Sequence, residues 1–232
     1  MADQSGNRSR LIFVGVILGA AAIALIVVLL TGGDDNSSGG DSAGLPDGCE
    51  QVAKPAAKDV KLSKPTLKPP PPNSTATVDT SCGSFTIALA VDDAPKTVSS
   101  FIYMAQQGAY DDTAFNRIAP GFVIQGGDPT ETQAGNAGYT VDEAPPDNIT
   151  YSNGTVAMAK SGAEPPGRSG SQFFVVTAPA DAGLPPDYAL LGHVQSGDDV
   201  VKRIESVGTA SGGDGPPKSP VAIHKITIGS QS

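Results

Sequence analysis

The stretch Phe115-Asn116-Arg117-Ile118-Ala119-Pro120-Gly121-Phe122-Val123-Ile124-Gln125-Gly126-Gly127-Asp128-Pro129 carries the reading of this chain. Strand-forming residues run from Phe115 to Gln125 and break at Pro120-Gly121, a turn pair. One guanidinium, one aromatic ring and one amide lie close together around glycines, and none of them is a nucleophile. A second run, Gly170-Ser171-Gln172-Phe173-Phe174-Val175-Val176, adds another amide and another aromatic pair. Such groups suit holding a peptide backbone beside an apolar pocket. They do not suit breaking a covalent bond.

Working outward, short segments of strand character recur. They are Ala76–Thr80, Phe85–Leu89, Thr155–Ala159, Gln172–Thr177, Ala189–Gln195 and Ala222–Ile228. Two helices interrupt them. One starts at Pro95, carries Val98, Phe101, Ile102 and Ala105 on one face, and stops at Gly108. The other, with Val200, Val201 and Ile204 inward, is expected to be capped by Asp198 or Asp199 and to end at Gly208. Many short strands with glycine-rich turns predict a mainly β domain, a closed barrel with helices over its open ends. Pattern alone leaves a sandwich as the alternative. The domain is expected to occupy residues 73–232.

Ahead of it, Leu11 to Leu30 is free of charge, and its 20 residues are long enough to cross a hydrocarbon core. Arg8 and Arg10 precede the run, and Asp34 and Asp35 follow it. The positive-inside rule then makes residues 1–10 a cytoplasmic tail and 11–30 a single transmembrane anchor, with the C-terminal domain extracytoplasmic. The run exceeds the apolar core of a usual secretory leader, and no small-x-small pattern ends it. Secretion after cleavage is the alternative. Residues 31–72 read as a linker: Gly/Ser-rich first, then Lys/Pro-rich up to Pro69-Pro70-Pro71-Pro72, a stiff spacer holding the domain off the membrane. Cys49 and Cys82 are the only cysteines, and an even count in an oxidising compartment reads as a disulfide. Two unpaired thiols are one alternative. A zinc site with His193 and His224 is another, but it lacks the short paired spacing of zinc ligands.

The net charge of −9, with Lys and Arg outnumbered, argues against a nucleic-acid partner. The chain holds no Gly-x-Ser-x-Gly elbow, no His-Glu-x-x-His and no phosphate-binding loop. His193 and His224 lie in strand-like segments without a nucleophile motif and read as structural. No cofactor and no metal are expected.

Together, the two quoted runs resemble the cyclophilin family of peptidyl-prolyl isomerases over about Ala76 to Gly229. The resemblance implies an eight-stranded antiparallel barrel capped by two helices. It identifies Arg117 as the guanidinium that donates to the prolyl nitrogen, Phe122 as its aromatic neighbour, and Gln125 as the glutamine that bonds the substrate backbone. Phe122, Phe174 and Leu184 match the proline pocket, and Val123 stands where methionine is common. Ala159, Lys160 and Gln172 align with residues lining the groove for the preceding substrate residues. Phe173, on the opposite side of its strand from Phe174, is expected in the core.

The chain departs from the family in places. Asn116 replaces a histidine, and its amide is expected to hydrogen-bond locally. Lys160 replaces an asparagine. Tyr188 stands where a pocket-edge histidine is common and is expected to cover the proline ring. The loop from Gly162 to Gly170 is long and is expected to narrow the groove. Gly183 falls near an indole that the resemblance ties to cyclosporin contact, so weak inhibition is expected. The activity implied is cis-trans isomerisation of Xaa-Pro bonds in exported polypeptides, assisting their folding, by a bacterial, membrane-anchored monomer. The competing reading is a proline-peptide-binding chaperone or adaptor with little turnover.

Overall fold

The computed structural model describes residues 44–230. The anchor expected at 11–30, the tail before it and the first part of the linker lie outside the described residues. Among the described residues, no helix is long and apolar enough to cross a membrane.

The chain forms β1 (Ser74–Thr80), β2 (Gly83–Leu89), α1 (Pro95–Gln106), β3 (Thr113–Ala119), β4 (Val123–Gly126), β5 (Val141–Asp142), β6 (Thr155–Met158), β7 (Arg168–Ser169), β8 (Phe173–Val176), β9 (Leu190–Ser196), α2 (Asp198–Ser206) and β10 (Val221–Ser230). Eight strands close a barrel in the order β1-β10-β3-β4-β8-β6-β9-β2, and every neighbouring pair is antiparallel. Closure removes the unpaired edges that a sandwich would leave. The short strands β5 and β7 pair separately and tie down the long loop, where the Arg168 guanidinium donates twice to Asp142 at 2.8 and 3.0 Å.

Alternation sorts the side chains. Phe85, Ile87, Phe115, Ile118, Ile124, Val156, Met158, Phe173 and Val175 fill the interior. The apolar faces of α1 (Val98, Phe101, Ile102) and α2 (Val200, Val201, Ile204) join the same cluster. Phe173 is fully buried, with the rings of Phe101, Tyr110 and Phe115 each 6.0 Å away and nearly perpendicular. This edge-to-face contact suits the quadrupole of each ring.

Three local features go beyond the sequence reading or differ from it. The α2 N-cap is Gly197, at φ 84°, with no side-chain cap; Asp198 and Asp199 lie inside the first turn, where they face the positive end of the helix dipole. In α1, capping comes from a distance: the Glu143 carboxylate accepts from the amides of Lys96 (3.1 Å) and Thr97 (2.7 Å). The third difference concerns the spacer. Its part from residue 44 to 72 has no regular secondary structure before Asn73, yet it lies along the barrel. Leu45, Val60 and Leu62 pack against the core. The amide of Glu50 donates to the Ser81 carbonyl (2.6 Å), that of Lys58 to Pro129 (2.7 Å) and that of Leu62 to Ala137 (2.8 Å). Cys49 and Cys82 form a disulfide. A few well-spaced apolar side chains and one covalent bond are enough to dock an extended segment that composition alone marks as flexible.

Candidate active site

The site is built on the outer face of β3, β4, β8 and β6. A defect in β3 creates it. Phe115 pairs with Gly126, but Arg117 pairs with Gln125, so Asn116 is an extra residue. Strict alternation would place Arg117 on the same side as the buried Phe115. The bulge shifts the phase, so Ile118 faces the interior and Arg117 faces out. Asn116 is itself buried, and neither polar atom of its side-chain amide finds a hydrogen-bond partner among the described residues, contrary to the local bond expected of it. The break at Pro120-Gly121 is the turn joining β3 to β4, with Gly121 at φ 70°, a conformation that favours glycine. The Glu205 carboxylate on α2 accepts from the Gly121 amide (2.7 Å) and from the Thr177 hydroxyl (2.6 Å), fastening the turn that carries Phe122.

A directional chain of hydrogen bonds runs through the site. Arg117 Nη1 donates to Gln125 Oε1 (3.0 Å), Gln125 Nε2 to Gln172 Oε1 (3.0 Å), and Gln172 Nε2 to the Gly135 carbonyl (2.8 Å). Because each amide accepts with oxygen and donates with nitrogen, the chain defines both amide orientations. On its other edge, Arg117 donates through Nε (2.8 Å) and Nη2 (2.6 Å) to Asp214. These bonds hold the Asp214 carboxyl below the usual carboxylate range, with the Arg117 hydrogen bond as the main cause. Among the described residues, three of the five guanidinium N–H groups are then engaged and two are unclaimed.

Beside the polar chain lies an apolar patch. Ala119, Val123, Ala157, Phe174 and Val176 form its floor, and Phe122, Ala159, Leu184 and Tyr188 are partly exposed around it. Phe173 and Phe174 thus face opposite ways, as expected. The Tyr188 ring meets Phe174 edge-on at 5.4 Å and Tyr151 at 6.0 Å. Tyr151 is fully buried; its hydroxyl donates to the Tyr188 carbonyl (2.6 Å) and accepts from the Tyr188 amide (3.0 Å). Burial pushes this phenol up to about 12, so it stays a donor.

Lys160 lines the groove, as the resemblance implies, but its side chain is held in place. Its side chain is only 5% exposed, pairs with Asp187 at 3.2 Å, donates to the Glu164 carbonyl at 3.1 Å, and sits 5.5 Å from the centre of the Tyr188 ring. It pins the long loop and the pocket-edge tyrosine together. With Gln172, Gly135 and Asn136, the start of that loop walls a groove of about 420 Å³ next to the patch.

The structure therefore brings Arg117, Gln125 and Gln172 into one network and Phe122, Val123, Ala159, Phe174, Leu184 and Tyr188 around one apolar patch. Sequence reasoning missed Asp214, Tyr151 and Glu205. Asp214 lies 97 residues from Arg117 in a glycine-rich loop, where nothing local marks it.

Known proteins resemble this chain in sequence and in fold. The profile described as "Cyclophilin type peptidyl-prolyl cis-trans isomerase/CLD" matches residues 75–228. The chain is 41% identical over 156 residues to the Aspergillus oryzae "Peptidyl-prolyl cis-trans isomerase-like 1", covering 65% of this chain and 92% of that one. It is 35% identical over 176 residues to a Cryptococcus neoformans "Peptidyl-prolyl cis-trans isomerase-like 2", covering 72% of this chain but spanning only 30% of that relative's length. Against the Mycobacterium leprae "Probable peptidyl-prolyl cis-trans isomerase B", identity is 34% over 194 residues, 76% of this chain and 64% of that one. The crystal structure of a Cryptosporidium parvum cyclophilin type peptidyl-prolyl cis-trans isomerase, determined in the presence of the dipeptide Ala-Pro, aligns with a TM-score of 0.61 at 27% identity, over 68% of this chain and 99% of that one. With residues 75–228, more than half of the chain, matched by the profile, this chain belongs to the cyclophilin-type peptidyl-prolyl cis-trans isomerase family.

Proposed function

We propose that the domain catalyses cis-trans isomerisation of Xaa-Pro bonds in polypeptides. The observation that carries this is the Arg117 guanidinium, held on the outer face beside the apolar patch with two N–H groups unclaimed among the described residues. The uncatalysed barrier of about 18–20 kcal/mol comes from amide resonance. In the twisted amide, the prolyl nitrogen becomes pyramidal and basic. Arg117 donates to it only in that state, so the bond lowers the barrier without tightening ground-state binding. A hydrogen bond to a charged group contributes about 1.5–3 kcal/mol, roughly ten- to a hundredfold in rate. The pocket of Phe122, Val123, Phe174, Leu184 and Tyr188 holds the ring while the acyl side rotates. Gln125 keeps one N–H and one lone pair for the substrate backbone, while Ala159 and Gln172 line the path of the residues before proline. Lys160 acts through Tyr188 and the loop.

The finer reading is a bacterial, membrane-anchored monomer: tail 1–10, anchor 11–30, linker from 31 whose part from residue 44 is docked on the domain, and the isomerase barrel from 73. It would assist the folding of exported proteins outside the cytoplasm. The uncharged run Leu11–Leu30 and its flanking charges support the anchor. The Cys49–Cys82 bridge supports an oxidising compartment. The test is a protease-coupled assay on a Xaa-Pro peptide. Wild type should accelerate exchange, and Arg117→Ala should lose most of the rate while peptide affinity changes little. A wild-type domain that binds the peptide without accelerating exchange overturns the enzyme and leaves the binding module.

A further inference from the structure

We infer that Asp214 is a positioning residue for the isomerisation, holding the Arg117 guanidinium in one orientation through a bidentate pair. This rests on the function proposed above. The carboxylate takes Nε at 2.8 Å and Nη2 at 2.6 Å, so two points in the guanidinium plane are tied to one rigid group. Gln125 alone contacts a single terminal nitrogen, which leaves the plane free to turn about that bond.

The backbone carrying Asp214 is itself fastened to the strand carrying Arg117. Ile118 and Gly215 exchange both backbone bonds, N to O at 2.8 Å and 3.0 Å in return. The loop closes on itself through a Thr209–Pro217 bridge, a bond from the Thr209 hydroxyl to the Gly213 carbonyl (2.6 Å) and one from the Lys218 amide to the Gly208 carbonyl (2.9 Å). None of these bonds uses the Asp214 side chain. Among the described residues, its only hydrogen bonds are those to Arg117. Its side chain is 52% exposed, so it buries little apolar surface and the loop does not need it to fold. A carboxylate on the catalytic cation has two opposed effects. It partly offsets the positive charge, which weakens the donor. It also removes rotational freedom before the substrate arrives, which a catalyst acting through one directional hydrogen bond needs. The bidentate geometry on a doubly bridged loop favours the second effect.

The experiment uses the full chain with Asp214→Ala, Asp214→Asn, Asp214→Glu, Arg117→Ala and the Arg117→Ala/Asp214→Ala double variant. Exchange of a Xaa-Pro peptide measured at several concentrations separates kcat from KM. Asp214→Ala should lower kcat about tenfold, by analogy with small misplacements of a catalytic group, while KM and the melting temperature stay near wild type. Asp214→Asn, which keeps one acceptor, should fall between, and Asp214→Glu should recover part of the loss. The double variant should be no slower than Arg117→Ala alone, because a residue that acts only through Arg117 has nothing left to position. An Asp214→Ala variant as fast as wild type or faster overturns this inference alone, and so does a further loss in the double variant. A wild type with no isomerase activity overturns the function and this inference together.

Discussion

Cys49→Ser cuts the disulfide that ties the segment 44–72 back onto the barrel. The bond joins residues 33 positions apart. In the chain-entropy account, a loop of that length stabilises the folded state by about 3.7 kcal/mol. At roughly 2–4 °C per kcal/mol for a domain of this size, the melting temperature should fall by about 7–15 °C. The partner, Cys82, sits in the β1–β2 turn at 1% exposure, and its carbonyl accepts from the Arg203 guanidinium of α2 at 2.7 Å. The junction thus ties the strap, the first hairpin and the second helix together. The network from Arg117 to Gly135 uses none of these residues, so isomerisation below the melting transition should persist. Thermal unfolding of wild type with and without reductant, beside the variant, measures the effect, and Xaa-Pro exchange at a temperature where all are folded measures activity. Equal melting of the oxidised, reduced and substituted proteins would refute the claim that the bridge anchors the strap.

Phe173→Ala removes the ring that three other aromatic rings meet edge-on, and should cost about 3–5 kcal/mol in urea unfolding; a loss under 1 kcal/mol would contradict the packing. Cyclosporin should inhibit weakly, because the chain has no tryptophan and Gly183 is exposed with open space around it. One missing anchor of that kind is about 2 kcal/mol, roughly thirtyfold in affinity, so low-nanomolar inhibition would show a substitute contact. The Asp214 carboxyl should titrate below the ordinary aspartate value of about 3.9, since the folded-state pKa is depressed by Arg117. The ion pair is then complete above that value and is lost only as pH falls through the depressed one; a carboxyl chemical-shift titration with a midpoint at or above 3.9 would exclude the pair.

From sequence alone, the family resemblance put Phe174 at the pocket, and period-two alternation then turned Phe173 inward, because successive side chains of a strand point to opposite faces. Local patterns also located the barrel strands, both helices and the turn at Pro120-Gly121, but not the two-residue strands β5 and β7. The same alternation fails in β3. The extra residue at Asn116 reverses the side on which Arg117 emerges, and a bulge depends on how the partner strand pairs, which no local pattern records. Barrel closure likewise depends on the pairing of β1 with β10 and of β2 with β9, strands distant in the chain. Asp214, Glu205 and Tyr151 reach the site only because closure brings their loops and helix against β3, β4 and the pocket edge. The docking of residues 44–72 is of the same kind. Its composition is that of a linker, and only the spacing of three apolar side chains over a finished surface, with Cys82 waiting in the β1–β2 turn, makes it part of the domain. Local propensity is written in neighbouring residues; contacts between distant ones exist only once the barrel has closed.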